Sequence, residues 1–272
     1  MTLTGDQRAA LETALGTGLA EITAMTGGSL STLLKARLGT GARVVIKTDP
    51  LAEAEGEMLR AIARTGCAAP QVLATAPGLL AISELASGGP GDAAAWHAAG
   101  ESIRHLHDAT GRAYGWRHDH AFGSVSILNT PRSDWPGFWA EQRVLDAQVD
   151  VSVDLARRLE VLATRLPDLL PAAPPPSLLH GDLWSGNVLF GPDGFSGVID
   201  PACYYGHSEV DLAMLTLFST PDPAFWDAYG PVAEGWEARR TIYQLWPALV
   251  HLRLFGSSYR HMVEDLLIRA GV

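Results

Sequence analysis

The stretch that decides the fold of this 272-residue chain is His180-Gly181-Asp182-Leu183-Trp184-Ser185-Gly186-Asn187. Asp182 stands five positions before Asn187, and the glycines between and beside them favour a tight loop. Such a loop can aim a carboxylate and a neutral amide carbonyl from the same turn. The alternative is a polar turn between two strands, with Asn and Gly in their usual turn positions.

The spacing of Asp182 and Asn187 matches the catalytic loop of protein kinases. In that loop the aspartate receives the proton of the acceptor hydroxyl, and the asparagine binds a magnesium ion. The spacing therefore predicts Asp182 as a catalytic base and Asn187 as a magnesium ligand.

A second carboxylate follows an apolar run downstream, in Gly197-Val198-Ile199-Asp200-Pro201. A short strand that ends in an aspartate can deliver its carboxylate into a cleft. We therefore expect Asp200 to bind the magnesium that bridges nucleotide phosphates, as the aspartate of the kinase Asp-Phe-Gly motif does. Pro and Ala follow here instead of Phe and Gly, and an ordinary strand end before proline is the alternative.

Upstream, Lys47 ends the β-branched run Val44-Val45-Ile46 and is one of only two lysines in the chain. This pattern is typical of the kinase strand whose lysine contacts nucleotide phosphates and pairs with a helix glutamate. Glu55 is the predicted partner, because it shares the inward side of the following helix with the apolar residues four and seven positions later. Glu53 and Glu57 lie further round that helix and are expected to be solvated.

A Gly-rich turn, Gly27-Gly28-Ser29-Leu30-Ser31, precedes this strand. Backbone amides of such a turn can approach phosphates, so Gly28 and Ser29 are candidate nucleotide contacts. It is neither a Walker sequence nor a Gly-x-Gly-x-x-Gly motif. Taken alone it favours an ordinary hairpin turn, and only its position upstream of Lys47 points to phosphate binding.

The order of predicted elements indicates two lobes. We expect a helix over residues 3–19, three antiparallel strands within 21–48, a helix over 51–64, and strands at 71–76 and 79–83. After a Gly-rich connector at 87–91 the chain is mainly helical, with helices predicted at 93–108, 135–166, 209–218 and 234–255. The predicted fold class is α+β, a bilobal protein-kinase-like fold with a small N-lobe at residues 1–84 and a larger helical C-lobe at 85–272.

Composition narrows the class of protein further. A formal net charge of −10 argues against nonspecific nucleic-acid binding. Two cysteines without metal-type spacing, a polar N-terminus and the absence of a long apolar run predict a reduced cytoplasmic protein without a membrane partner.

The catalytic stretch and the run from Asp200 to Met214 together resemble the fructosamine kinases (ketosamine-3-kinases), within the aminoglycoside-phosphotransferase and choline-kinase-like group. The features specific to this branch are Trp184 and the run Tyr204-Tyr205-Gly206-His207. The resemblance implies phosphoryl transfer from ATP, with magnesium, to the 3-hydroxyl of a ketoamine sugar on a free or protein-bound amine. The 3-phosphate is unstable, so the sugar leaves and the amine is repaired.

The resemblance also implies roles for single residues. Lys47 and Glu55 form the phosphate-positioning pair, and the backbone from Glu84 to Ala86 contacts adenine. On physical grounds the aromatic face of Trp184 can stack on the sugar, and a core tryptophan that closes the loop is the alternative. Three residues of the second run are either contacts at the cleft edge or packing residues: Tyr204, Tyr205 and His207. Asp211 is expected to fix the catalytic loop by hydrogen bonds, and His107 to be a surface or core residue.

Two alternatives stay open on sequence grounds. One is a kinase for another hydroxylated amine, an aminoglycoside or amino alcohol, which for a polycation requires acidic residues such as Glu209, Glu234 and Glu237 to gather at the cleft. The other is a nucleotide-binding pseudokinase. Some fructosamine kinases carry a regulatory cysteine in the Gly-rich turn, but this chain has Ser29 and Leu30 there, so redox control is not expected.

Overall fold

The computed structural model describes residues 2–25, 32–148 and 151–272. Its N-terminal lobe, which ends at Ser83, is a five-stranded antiparallel sheet with two helices, and the fifth strand lies between the third and the fourth. The elements of this lobe are α1 (Gly5–Leu15), β1 (Leu19–Ala24), β2 (Thr32–Leu38), β3 (Arg43–Thr48), α2 (Ala52–Arg64), β4 (Val72–Ala76) and β5 (Leu79–Ser83).

Side-chain alternation along β3 explains how the two helices cover the sheet. Val44 and Ile46 pack with Leu11 of α1, whereas Val45 packs on the side of Leu59 in α2. Successive side chains of a strand point to opposite faces. The same alternation therefore sends Lys47 toward α2.

The rest of the chain is mainly helical, with three short two-stranded sheets. Its largest buried side chains include Trp135, Phe138 and Trp139, and the core extends to Met58 and Ile62 of α2. The elements are α3 (Ala93–Asp108), β6 (His120–Phe122), β7 (Val125–Ile127), α4 (Trp135–Trp139), α5 (Val153–Leu169), β8 (Ser177–Leu179), β9 (Val188–Gly191), β10 (Gly194–Val198), β11 (Tyr204–Gly206), α6 (Glu209–Leu215), α7 (Pro223–Tyr229), α8 (Trp236–Phe255) and α9 (Arg260–Arg269).

The single helix predicted over residues 135–166 is wrong. The α-helix ends at Trp139, a π-helical segment (Ala140–Leu145) and a short 3₁₀ turn (Asp146–Gln148) follow, and α5 begins separately. Ser152 starts α5, because its hydroxyl accepts a hydrogen bond from the Leu155 amide. The hairpin β6–β7, α7 and α9 lie outside the predicted elements.

The helices also bear on membrane association. None of those within the described ranges is both long enough and apolar enough to cross a bilayer.

Candidate active site

The predicted catalytic loop joins β8 to β9 and ends in a 3₁₀ turn at Ser185–Asn187. The Asn187 amide nitrogen donates to the backbone carbonyl of Asp182 at 2.8 Å and to its carboxylate at 3.0 Å. Gly181 has φ +82°, and a Cβ there would lie 2.0 Å from the Ala202 carbonyl oxygen. Only glycine allows the loop backbone to come this close to Ala202. Gly181 thus lets the chain turn directly before Asp182.

Asp211, in the first turn of α6, holds the loop backbone from below. Its carboxylate accepts hydrogen bonds from the amides of His180, at 2.6 Å, and Gly181, at 2.9 Å. It also lies 3.0 Å from Nε2 of His107 in α3. The other ring nitrogen of His107, Nδ1, lies 2.8 Å from the Tyr229 hydroxyl. The expected role of Asp211 in fixing the loop is confirmed.

The Asp182 carboxylate is held in an environment that favours its neutral form. Burial raises the pKa of Asp182 to about 7, and the carboxylates of Asp200 and Asp211 add to the rise, while the hydrogen bond from Asn187 opposes it. A carboxyl group that titrates near neutrality is suited to general base catalysis.

On the N-lobe side of the cleft, Lys47 forms a buried ion pair with Glu55 at 2.5 Å and a second contact with Asp200. Lys47 is 5% exposed. Burial alone would lower the pKa of Lys47, but the carboxylates of Glu55 and Asp200 raise it above its ordinary value. The lysine is therefore a fixed positive charge. The pairing of Lys47 with Glu55, rather than with Glu53, is confirmed.

Asp200 is tied to the catalytic loop by the backbone around it. The Ile199 amide donates to the Asn187 carbonyl at 3.0 Å, and the Ala202 amide donates to the His180 carbonyl at 2.8 Å. Asp200 itself has φ +57°, a left-handed conformation that aspartate tolerates better than most residues. The two segments thus form one unit that presents Asp200 and Asn187 to the cleft.

The oxygen donors of this unit fit a magnesium ion. Lys47 contacts one carboxylate oxygen of Asp200, so the other is not used in that pair, and the contacts of Asn187 with Asp182 use its amide nitrogen rather than its carbonyl. Within the described residues no three His, Cys, Asp or Glu side chains group to hold a metal. Magnesium on one or two protein groups is ordinarily completed by phosphate oxygens and water.

A pocket opens from Asp182 on the side of the C-lobe, with a cavity volume of about 140 Å³. The catalytic loop contributes Gly181, Asp182 and Trp184 to its lining. The remaining wall comes from β6, α6 and α8: Phe122, Val210, Asp211, Met214, Trp246, Pro247, Val250, His251, Leu254 and Phe255. We call this the acceptor pocket.

Trp184 is the one predicted substrate residue that lines the acceptor pocket, where it is 39% exposed. Tyr204 is 2% exposed and lies against Arg143 and Phe138, and buried His207 meets the Tyr243 hydroxyl at 2.8 Å. Both are packing residues, so their assignment to the cleft edge is corrected.

Tyr205 also lies elsewhere than predicted. Its ring packs on Trp116 with the centroids 5.7 Å apart, and its backbone pairs with Gly115. It is half-buried and does not line the acceptor pocket. Tyr204 and Tyr205 are successive residues of β11 and point to different sides of the strand. Tyr204 packs against Arg143 and Phe138, Tyr205 against Trp116, and neither reaches the acceptor pocket.

The predicted adenine and phosphate contacts remain predictions. Gly28 and Ser29 lie outside the described residues. The Glu84 amide donates to the Arg43 carbonyl at 3.3 Å, so it pairs within the sheet, and the Glu84 carboxylate bridges Lys35 and Arg43. The Glu84 amide is therefore engaged, and the Glu84 carbonyl and the backbone of residues 85–86 stay the predicted contacts for adenine.

Sequence reasoning missed the residues that α8 contributes to the acceptor pocket. The predicted helix at 234–255 covered them, but α8 carries apolar residues on several sides, including Trp246, Val250 and Leu254. Which of these apolar residues line the pocket and which belong to the core depends on where α8 lies relative to the catalytic loop, and the sequence pattern does not give that position.

The sequence of the chain is similar to those of known kinases. A family model described as "Fructosamine kinase" matches residues 7–270. A probable ketoamine kinase of Lactiplantibacillus plantarum is 37% identical over 78% of this chain and 78% of its own length. One of Enterococcus faecium is 37% identical over 61% of this chain, and the match spans 64% of the length of that relative.

The fold has a solved counterpart. The crystal structure of a Thermobifida fusca protein, named provisionally as a fructosamine-3-kinase, superposes with a TM-score of 0.91. The two chains are 34% identical, and the superposition covers 98% of this chain and 99% of the other. The predicted fold class, an antiparallel N-lobe and a helical C-lobe of kinase type, is confirmed.

Proposed function

The chain belongs to the fructosamine kinase family, and from this premise we propose that it transfers phosphate from ATP to the 3-hydroxyl of a ketoamine. The adduct sits on a free or protein-bound amine, which is freed when the unstable 3-phosphate is lost. The observation that carries the proposal is the position of Asp182. It lines the acceptor pocket and is hydrogen-bonded to Asn187, which is tied through the backbone to the Lys47–Asp200 side of the cleft.

Asp182 acts as the base in this proposal. With a pKa raised to about 7 by burial, it is largely ionised at the pH of a bacterial cytoplasm and still basic enough to accept the hydroxyl proton. The Asn187 hydrogen bond and the Asp211 contacts to the loop backbone fix the direction of the carboxylate. Positioning of this kind is a main source of catalysis in phosphoryl transfer.

Lys47 holds the phosphates, and Glu55 holds Lys47. Because both partners are nearly buried, the ammonium is preset for phosphate oxygens and does not need to be ordered on binding. Asn187 and Asp200 are the residues that would hold magnesium, which neutralises charge on the phosphate oxygens. Glu84 and Ala86 would contact adenine, and Gly28 and Ser29 the phosphates.

An aminoglycoside acceptor is disfavoured by the positions of the acidic residues. Glu209 is buried and paired with Arg239 at 2.6 Å, and Glu237 pairs with Arg240 at 2.5 Å. Neither these glutamates nor Glu234 line the acceptor pocket. A polycation would therefore find few free carboxylates there. The complete set of Lys47, Asp182, Asn187 and Asp200 disfavours a pseudokinase.

We also propose a reducing, cytoplasmic location. Cys67 and Cys203 are both free and buried. Burial raises the pKa of Cys67 to about 11 and that of Cys203 well above its ordinary value. Thiols in this state are inert, which fits a protein that keeps its cysteines reduced.

The test is ADP release with magnesium-ATP and a panel of acceptors: fructose-, ribulose- and erythrulose-lysine, an aminoglycoside, and choline. We expect turnover with at least one ketoamine and background release with the other two classes. Turnover confined to the aminoglycoside or to choline would sink the proposal.

A further inference from the structure

The acceptor pocket continues past Asp182 along a wall whose one carboxylate, that of Asp211, is buried and already hydrogen-bonded. The residues of β6, α6 and α8 that form this wall are mostly apolar, among them Phe122, Val210, Met214, Val250, Leu254 and Phe255. A cavity of about 150 Å³ with apolar walls is large enough to bind a molecule such as benzene. The volume of about 140 Å³ includes the Asp182 end of the pocket, so the wall is suited to a smaller apolar group that continues toward the exposed end of the pocket.

The mouth of the pocket is rimmed by exposed aromatic rings. Trp184, Phe218 and Phe255 are 39%, 40% and 48% exposed, and they are the exposed Phe and Trp side chains within the described residues. Trp184 and Phe255 line the pocket, and His251, which lines it too, lies with its ring centroid 5.0 Å from Phe218 and 5.5 Å from Phe255. Exposed apolar side chains gathered at one place mark a binding surface.

The pocket offers no free carboxylate for a cation. Asp182 is the base, and Asp211 is 1% exposed with its oxygens engaged by two backbone amides and His107. The His251 Nδ1 lies 2.8 Å from the Pro247 carbonyl, which only accepts, so the ring proton is on Nδ1. A cation placed against this wall would lose hydration and would find no free carboxylate, only the His251 Nε2 lone pair and the aromatic faces as weaker partners.

We propose that this wall binds the amine-borne part of the ketoamine, and that the enzyme prefers adducts in which that part is apolar, an alkyl or aromatic amine, over adducts whose tail is charged. This inference rests on the proposed function and names its substrate class. The sugar lies at Asp182, and the tail extends over Val250 and Leu254 toward Phe255.

Three fructosamines of known tail test the preference. The adducts of n-hexylamine and of 1,5-diaminopentane have tails of the same length that end in a methyl and an ammonium group, and the adduct of methylamine has no tail. We expect kcat/KM for the hexyl adduct to exceed that for the diaminopentane adduct by about tenfold or more, since the two tails share five methylenes and differ at the end, where a buried methyl stabilises binding severalfold and an unpaired ammonium loses hydration. Equal values, or a higher value for the ammonium tail, would overturn the inference.

The methylamine adduct separates the two levels of the proposal. Turnover of that adduct with equal values for the two long tails would remove only the tail preference. The absence of turnover for all three adducts and for the fructose-, ribulose- and erythrulose-lysine of the acceptor panel would instead remove the proposed function.

A matched pair of variants locates the preference. Phe255→Asp places a carboxylate at the mouth, and the ratio of hexyl to diaminopentane kcat/KM should fall at least fivefold, on the order of what one ion pair contributes. Val161→Asp makes a similar change at an exposed apolar position of α5, 46% exposed and outside the pocket, and should keep the wild-type ratio. A folding defect lowers both values together. An unchanged ratio in Phe255→Asp would show that the tail does not reach this wall.

Discussion

The two sides of the cleft differ in how they treat charge. Toward the N-lobe, Lys47 is matched by the carboxylates of Glu55 and Asp200, and its pKa is raised. Toward the acceptor pocket, Asp182 faces an apolar wall and has an amide, Asn187, as its hydrogen-bond partner. One side is built to keep a charge fixed, and the other to let a charge change near neutral pH.

This difference follows from what each side has to do. Phosphate oxygens need a permanent positive charge whose position does not vary. A hydroxyl proton needs a base whose affinity for it is close to the working pH. Burial shifts the pKa of both groups. For Lys47 the ion pairs outweigh burial and raise the pKa, whereas for Asp182 burial is the largest cause of the rise.

The largest expected effect comes from removing the base. Asp182→Asn should lower kcat by about 10³-fold or more, because general base catalysis contributes on the order of 10²–10⁴, while ATP still binds through Lys47. Steady-state ADP release and calorimetric titration with ATP measure the two quantities. Substantial residual turnover would remove Asp182 from the role of base.

The next effect tests the nucleotide side. Glu55→Gln removes one of the two carboxylates that hold Lys47, and kcat/KM for ATP should fall about 100-fold, since a displacement of a positioning group by about 1 Å can cost that much. Glu53→Gln is the matched control, because Glu53 lies on the same helix and is exposed. Equal losses in the two variants would contradict the assignment of Glu55.

The pH dependence distinguishes the two sides directly. Below pH 7 Asp182 becomes protonated and cannot accept a proton, so kcat/KM should fall about tenfold per pH unit. Because the pKa of Lys47 is raised, this lysine stays charged near neutral pH and does not contribute to the pH dependence of kcat/KM in this range. The acidic limb should persist in Glu55→Gln. A flat profile between pH 5.5 and 8 would mean that Asp182 does not titrate in this range.

The smallest effect is on stability. A carboxyl whose pKa is raised by folding destabilises the folded state as pH rises from about 4 to 7, because the folded protein resists losing the proton. Asparagine does not ionise. Asp182→Asn should therefore melt several degrees above the wild type at pH 8, and this difference should shrink at pH 5. Calorimetry at pH 8 and pH 5 measures the two melting temperatures. A larger difference at pH 5 than at pH 8 would contradict a pKa of Asp182 that is raised by folding.

The nucleotide side was largely predictable from sequence, because its geometry is local. Strand alternation turns Lys47 toward α2, and helical periodicity selects Glu55 on that helix. The five-residue spacing of Asp182 and Asn187 likewise sets a contact within one loop.

The acceptor side was less predictable, because its wall joins segments far apart in the chain. Phe122 and Phe255 are separated by more than a hundred residues, yet both line the pocket. The burial of Tyr204 depends on Arg143, which the π-helical segment brings over its ring at 4.3 Å. A pattern predicted as one long helix could not reveal that contact.

The most direct test of the central claim is the position of the transferred phosphate. With the methylamine fructosamine labelled with ¹³C at carbon 3, the wild type should yield a product whose labelled carbon couples to ³¹P by nuclear magnetic resonance before the sugar is lost. Asp182→Asn should yield no such product. Phosphate on another carbon, or the same product formed at a comparable rate by Asp182→Asn, would contradict a ketoamine 3-kinase that works through Asp182.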